Sequence, residues 1–254
     1  MKNLYQTHWH DIPFSSFSEL SSTKIAGAAF YDAFYLELFK KYADYESLDF
    51  NWRQSKDEIA DWISSSLSEG NQVLSVGCGL GYLEQRLWRK HGDRIELHVS
   101  DYASESLRWL RQVMPADRIH NAESIQSHKE RYNLVFLSGV DYALSNKNLV
   151  ALLAGLRDSL CKDGEVMITS QSFLKNETLK DKIVEFVKSA AKRMLIFLGL
   201  RHAEKRGQLW GFMRSRSEYQ ATMRAAGFSN IVDGFMETKN QRTYWIKGGV
   251  ISKG

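Results

Sequence analysis

Apolar positions along the first third of the chain follow helical spacing. The stretch "FYDAFYLELFKKY", from Phe30 to Tyr42, repeats its apolar residues every three to four positions and predicts an amphipathic helix. A second helix is predicted for "SKDEIADWISSSL", which starts at Ser55. Ser55 with Glu58 three positions later is the spacing of a capping box, so Ser55 is the expected N-cap.

From residue 72 onward, short apolar runs of strand type alternate with helical patterns. Strands are predicted at 72–76, 95–100, 118–122, 134–138 and 165–170, with helices between them at 82–90, 104–113 and 148–160. A strand that alternates with a helix in this way is typical of a parallel, doubly wound sheet.

The C-terminal part closes with a helix and two further strands. The helix covers 217–228, with Ser215 and Glu218 in capping-box spacing. The two strand-like runs, 230–235 and 243–248, predict an antiparallel hairpin at the sheet edge. The predicted fold is therefore an α/β fold, a Rossmann-like doubly wound seven-stranded sheet with an antiparallel edge strand.

We expect two parts in this fold. An N-terminal helical segment covers 1–54, and a core covers 55–254. A helical insertion at about 174–206 precedes the last helix.

The turn after the first core strand, in "VLSVGCGLGYLE", is rich in glycine. Glycines there permit a tight turn and a close approach of the backbone to a ligand. A phosphate-binding P-loop needs Lys and then Ser or Thr after the last glycine, and Tyr82 and Leu83 follow instead. A dinucleotide loop would have its third glycine at position 82, so the spacing also disfavours NAD or FAD.

The same stretch, extended to "VLSVGCGLGYLEQRL", resembles motif I of the class I S-adenosylmethionine (SAM)-dependent methyltransferases. Three further stretches, "LHVSDYASESL", "HNAESI" and "YNLVFLSGVDYALSNKNLV", resemble the later motifs of that family in order and spacing. The resemblance covers 55–172 well and 207–250 more loosely.

The resemblance implies that SAM is the cofactor and that S-adenosylhomocysteine (SAH) is its product. Asp101 matches the acid that binds the ribose hydroxyls, Tyr102 would lie against the adenosine, and Asn121 falls where the adenine amino group is contacted. The implied cofactor-binding residues are Gly77, Cys78, Gly79, Gly81, Asp101, Tyr102, Asn121, Ala122, Ser138 and Tyr31.

Catalytic residues are harder to identify, because methyl transfer from a sulfonium is a direct displacement that depends mainly on positioning. A general base is needed only when the acceptor must lose a proton. The candidates are Asp141 as a base, Tyr142 as a positioning residue, and His10 in an N-terminal segment that could cover the site. A loop or N-cap role for Asp141 and a packing role for His10 are the alternatives, and we expect no metal site.

Composition places the chain among ordinary globular proteins. It has 254 residues, 43% hydrophobic and 25% charged, with two cysteines that form no disulfide pattern. Neither a signal peptide nor an apolar run of membrane-spanning length is visible, so we expect a cytoplasmic protein.

Positive charge is concentrated in the predicted insertion. Residues 175–206 contain nine Lys or Arg and four Asp or Glu, interleaved with apolar positions. The segment is interpreted as a substrate lid or a homodimer helix, or alternatively as an interfacial helix that makes the protein membrane-peripheral.

The predicted function is methyl transfer from SAM to a small-molecule or glycan acceptor, at a hydroxyl oxygen, by in-line displacement. The alternatives are a protein or amine acceptor, a non-catalytic SAM-binding partner protein, and an NAD-dependent oxidoreductase. Nucleic acid is not the expected acceptor, because the chain shows no RNA-binding module and has "SGVD" after the fourth strand, where base methyltransferases carry a Pro-Pro motif.

Overall fold

The computed structural model describes residues 1–122, 131–174, 207–237, 239 and 242–250. Its elements, in chain order, are β1 (Lys2–Gln6), β2 (His8–Trp9), β3 (Ile12–Pro13), α1 (Ala28–Lys41), α2 (Phe50–Ser64), β4 (Gln72–Val76), α3 (Tyr82–His91), β5 (Glu96–Asp101), β6 (Ile119–Asn121), β7 (Tyr132–Ser138), α4 (Asn146–Arg157), β8 (Leu160–Ser170), β9 (Gln208–Met213), α5 (Arg216–Ala225), β10 (Ser229–Glu237) and β11 (Arg242–Gly249). The basic segment 175–206 lies outside the described residues, so the lid, dimer and membrane interpretations stay predictions.

Seven strands form one sheet in the order β10-β11-β8-β7-β4-β5-β6. The five strands from β8 to β6 are parallel, and β11 is antiparallel to both β8 and β10. The predicted α/β sheet is confirmed. Its antiparallel strand, β11, is the second strand from the edge, because β10 pairs with its outer side. Strand order reverses between β4 and β7, and ligands bind beyond the carboxyl ends of the strands at such a point.

Helices cover both faces of this sheet, because the central strands are apolar on both sides. In β7, Val135 and Leu137 face the cluster that contains α4 and α5, while Leu134 and Phe136 face α2 and α3. This alternation follows from the two-residue period of a strand. No helix among the described residues has the length and apolar character needed to cross a membrane.

The prediction for the start of α2 was wrong. The helix begins at Phe50, and its N-cap is Asp49, whose Oδ1 accepts a hydrogen bond from the Trp52 amide at 2.7 Å. Ser55 lies inside the helix, where its hydroxyl donates to the Asn51 carbonyl oxygen at 3.0 Å. An Asp in an extended conformation caps as well as a Ser, so two sites competed and the earlier one lengthened the helix.

The helix predicted at 104–113 is two short 3-10 turns, Glu105–Arg108 and Leu110–Gln112. The Asp32 side chain accepts a hydrogen bond from the Glu105 amide at 2.9 Å, so a distant residue takes the place of a local N-cap at the start of this segment.

The N-terminal residues add a strand pair that the sequence pattern did not reveal. β1 pairs with β9 in an antiparallel two-stranded sheet, and the Leu209 amide donates to the Ser21 carbonyl oxygen at 2.7 Å. These contacts bring residues of the first segment over the carboxyl ends of the core strands. The boundary between the N-terminal segment and the core, after residue 54, stays a prediction. It would fall inside α2, which runs from Phe50 to Ser64.

Candidate functional site

The glycine loop after β4 is built on left-handed backbone conformations. Gly77, Gly79 and Gly81 have φ of 71°, 56° and 74°, values that glycine adopts without a steric penalty. The amides of Gly77 and Cys78 both donate to the Ser100 carbonyl oxygen, at 2.8 and 3.1 Å. These bonds bind the loop to the end of β5.

Space around the loop also requires glycine. A Cβ on Gly77 would lie 2.5 Å from a methyl carbon of Val140, and one on Gly81 would lie 2.2 Å from a methyl carbon of Leu110. Gly79 faces Tyr35, whose hydroxyl would be 3.2 Å from an added Cβ. The loop is therefore closely packed against Val140, in the turn after β7, and against Leu110 and Tyr35.

Asp101 lies at the end of β5 and is almost completely buried. Its Oδ2 accepts from the Gly79 amide at 2.8 Å, and its Oδ1 accepts from the Ala103 amide at 2.9 Å. Burial raises the pKa of this carboxyl despite those bonds. Ser106 and the Tyr102 amide also donate toward this carboxylate, so a ligand that binds it shares its two oxygens with protein donors.

A cavity of about 370 Å³ opens above this loop. Of the predicted site residues, it is lined by Tyr31, Gly77, Cys78, Gly79, Gly81, Asp101, Tyr102, Ser138 and Tyr142. A smaller cavity of about 160 Å³ shares Asp101 and Tyr102 with it and is lined by Arg111, Ile119 and Asn121. The Ala122 amide donates to the Asp101 carbonyl oxygen at 3.2 Å. The structure thus brings the predicted cofactor-binding residues into one two-part cleft.

Aromatic residues from outside the loop also line the large cavity, and we call five of them the aromatic wall. Its members are Trp9, Tyr31, Trp52, Tyr142 and Trp210. Tyr142 stacks on Trp210, and Trp9 stacks on Phe34 behind the wall. A hydrogen bond from Tyr31 also reaches Tyr142, while burial raises the pKa of Tyr142 to about 12. The wall combines five separate parts of the chain.

Two charged side chains, Lys56 and Glu84, also line the large cavity. Glu84 is buried, and its Oε1 accepts from the Ser75 hydroxyl at 2.6 Å, while its Oε2 has no hydrogen-bond partner among the described residues. Burial raises the pKa of Glu84 to about 7, and burial lowers the pKa of Lys56 against the attraction of the Glu84 and Asp141 carboxylates.

Asp141 does not line either of these cavities, although Tyr142 beside it does. Its buried carboxylate accepts hydrogen bonds from the Tyr219 hydroxyl and, at 3.0 Å, from the Ser170 hydroxyl. The fully buried Arg214 donates to the Asp141 carbonyl oxygen at 2.8 Å and to the Leu144 carbonyl oxygen. Asp141 therefore belongs to a buried polar network that holds the turn after β7.

His10 lies behind the aromatic wall and does not line the large cavity. Its ring makes T-shaped contacts with Trp52 and Tyr42, and its buried Nε2 has no partner among the described residues. Burial lowers the pKa of His10 to about 4, so the ring is neutral at pH 7. Within the described part of the chain, no three His, Cys, Asp or Glu side chains are placed to hold a metal ion.

Sequence reasoning did not identify Lys56, Glu84, Trp9, Trp52 or Trp210 as site residues. Glu84 could have been found, since it lies three positions after the last glycine of the loop. Lys56 and Trp52 were hidden by the wrong start of α2. Trp9 and Trp210 come from strands that the pattern did not reveal, and no local signal marks them.

The cleft fits SAM in three respects. Glycine conformations leave room for a ligand against the loop backbone, Asp101 offers a fork for two ribose hydroxyls, and the smaller cavity beyond it offers Asn121 to the adenine. The buried Glu84 Oε2 has no partner among the described residues and so leaves an acceptor for a hydrogen-bond-donating group of the ligand.

Comparison with known proteins agrees with this geometry. The sequence profile of the family described as "Methyltransferase domain" matches residues 51–233. The tRNA U34 carboxymethyltransferase of Alteromonas mediterranea is 28% identical over 199 residues, which cover 72% of this chain and 52% of that protein. The chain thus spans about half the length of that curated relative.

Solved structures share the fold. Magnesium protoporphyrin IX methyltransferase from Synechocystis PCC 6803, with bound SAH, has a TM-score of 0.58 at 14% identity and covers 88% of this chain and 98% of its own. A putative O-methyltransferase from Nostoc punctiforme PCC 73102 has a TM-score of 0.56 at 15% identity, with 93% and 66% covered. The chain therefore belongs to the methyltransferase domain family, and its resemblance to the class I SAM-dependent methyltransferases is confirmed.

Proposed function

We propose that this protein transfers the methyl group of SAM to a hydroxyl oxygen of a small-molecule or glycan acceptor. When bound, SAM supplies a methyl group made electrophilic by its sulfonium. The observation that carries the proposal is the aromatic wall, which lines the same cavity as the glycine loop. Flat rings bind the faces of aromatic compounds and sugars, and they exclude water from the space between donor and acceptor.

The charges of the cavity favour the same acceptor class. Lys56 is the only Lys or Arg among the described residues that line it, and its neutral polar side chains include Gln6, Gln171 and Ser172. A nucleic-acid acceptor normally needs several basic groups along its phosphates. A lining with a single cation and several neutral hydrogen-bonding groups suits a small neutral compound better.

We assign the predicted catalytic residues to positioning. Tyr142 shapes the aromatic wall, since its pKa of about 12 makes it a poor base at neutral pH. The Asp141 carboxylate is occupied by Tyr219 and Ser170, and it holds the turn that carries Tyr142. His10 supports Trp52 from behind. Rate acceleration in this proposal comes from holding acceptor and donor in line.

The experiment is a label-transfer assay with SAM carrying a tritiated methyl group. Acceptors are offered in separate pools: phenolic and polyhydroxylated small molecules, oligosaccharides, amines, mixed protein, and bulk tRNA. The Asp101→Ala variant is the control for non-enzymatic transfer. We expect label in the phenol or oligosaccharide pool, in a product whose fragmentation shows an ether.

Other results contradict the proposal in distinguishable ways. Label in the tRNA pool would place the activity with that of the Alteromonas relative, and label in protein or amines would favour an amine acceptor. SAM binding without transfer to any pool would favour a non-catalytic partner role.

A further inference from the structure

Lys56 is a charged side chain for which the methyl-transfer proposal has no use. It projects from α2 into the large cavity, and its Nζ would lie 3.7 Å from a Cβ built on Gly139, the residue after β7. Among the described residues, no hydrogen bond or ion pair connects this ammonium to a neighbour. The Glu84 and Asp141 carboxylates attract it without a direct hydrogen bond, so its N–H donors stay available to an anionic group of a ligand in the cavity.

The location of Lys56 determines which part of SAM can reach it. Asp101 holds the ribose, and the smaller cavity with Asn121 lies on the β5–β6 side of it. The rest of the cofactor must then extend from Asp101 in the opposite direction, over the glycine loop, toward the switch point between β4 and β7. Lys56 lies at that switch point, beside Gly139. The group that arrives there is the amino-acid end of SAM, which carries a carboxylate.

The charges of the two molecules match. The sulfonium and ammonium of SAM carry two positive charges and its carboxylate one negative charge, while Glu84 and Asp101 carry two negative charges and Lys56 one positive charge when all are ionised. In this arrangement the carboxylate of SAM lies beside the Lys56 ammonium, and its positive groups lie beside the carboxylates. Such contacts are stronger in a cavity than in bulk water.

We propose that Lys56 binds the α-carboxylate of SAM at the switch point between β4 and β7. The inference concerns the donor side alone, so it does not depend on which acceptor the protein uses. Failure of the acceptor proposal leaves it unchanged.

The test compares two ligands by titration calorimetry, SAH and 5′-methylthioadenosine. The second compound has the same adenosine and sulfur but no amino-acid end. We expect Lys56→Met to weaken SAH binding by about 30-fold, the loss of one charge-assisted contact in a desolvated site, while methylthioadenosine binding changes less than about twofold. Unchanged methylthioadenosine binding also shows that the variant is folded.

The matched control is Lys90→Met, since Lys90 pairs with Asp61 at 2.8 Å on the outer side of α2 and α3. It should leave both affinities unchanged. Decarboxylated SAM gives a second reading, because it keeps the ammonium and loses only the carboxylate. It should bind to wild type and to Lys56→Met with equal affinity.

Equal weakening of both ligands in Lys56→Met, or no weakening of either, overturns the proposal. A raised acceptor KM with unchanged SAH affinity would instead make Lys56 an acceptor contact and would also overturn it.

Discussion

The two walls of the cavity are built in different ways. The glycine loop with Asp101 uses backbone amides and one carboxylate, all from residues 77–103. The aromatic wall uses side chains alone, and they come from β2, α1, α2, β9 and the turn after β7. One wall is therefore contiguous in sequence, and the other exists only after distant segments have packed.

This difference explains how far the function can be read from the chain. A ligand held by backbone in a tight turn demands particular residues at fixed spacing, because only glycine tolerates the turn and the close approach. An aromatic surface can be assembled from rings at any sequence position. The donor is consequently recognisable in the sequence, and the acceptor depends on a surface that leaves no local pattern.

The largest expected effect is on the donor side. Asp101→Ala removes the acceptor of the Gly79 amide and the fork for the ribose, so SAH affinity should fall by about 100-fold. Calorimetry measures the change, and Asp61→Ala on the outer surface of α2 is the control. An affinity for SAH within about threefold of wild type would show that this wall does not need Asp101 to bind the cofactor.

A second prediction concerns the support of the aromatic wall. The pKa of His10 is about 4 in the folded protein, below its ordinary value of 6.5, so the unfolded chain binds the proton first as the pH falls. The stability contributed by the neutral ring is complete above pH 6.5 and is lost between pH 6.5 and 4, by about 3 kcal/mol.

His10→Phe keeps a ring and cannot be protonated, so it should lose less stability over that interval than wild type does. Urea unfolding at about pH 7 and about pH 4.5 measures the difference. The same loss in both proteins would show that the pKa of His10 is the same in the folded protein and in the unfolded chain. The burial of its ring would then contribute nothing to the support of the aromatic wall.

A third change separates the two walls directly. Trp52→Leu keeps an apolar side chain and removes a flat ring, so kcat/KM for the acceptor identified by label transfer should fall about 10-fold. SAH affinity should change by less than about threefold. Trp62→Leu, at a tryptophan that packs against Trp245 away from the cavity, is the control. Equal losses for donor and acceptor would mean that the walls are not separate.

The smallest effect is expected for Tyr142→Phe. The ring stays stacked on Trp210 and only the hydroxyl contacts with Tyr31 and Trp210 are lost, so turnover should fall by about threefold with an unchanged pH profile. A fall of more than about 100-fold, with a lost alkaline limb, would make Tyr142 a proton-transfer residue.

Particular elements show where prediction from the sequence succeeds. β4 has its predicted bounds, and the capping box of Ser215 and Glu218 begins α5 as predicted. Both depend on contacts within a few residues. The start of α2 was wrong because Asp49 and Ser55 are both competent caps. The helix at 104–113 was wrong because Asp32, over 70 positions away, takes the Glu105 amide.

By itself, the sequence determined the parallel sheet, the turn that only glycine can form, and the carboxylate that follows the next strand. These features rest on local backbone geometry and on a two-residue apolar period. Tertiary structure alone decided that β1 pairs with β9. It also decided that Trp9, Trp52 and Trp210 line the same cavity as the loop. It also decided that Asp141 faces Tyr219 in the interior while Lys56 faces the cavity. Whether a side chain faces a ligand or the interior depends on the elements that pack around it. Those elements come from distant parts of the chain, so the neighbouring residues in the sequence do not indicate them.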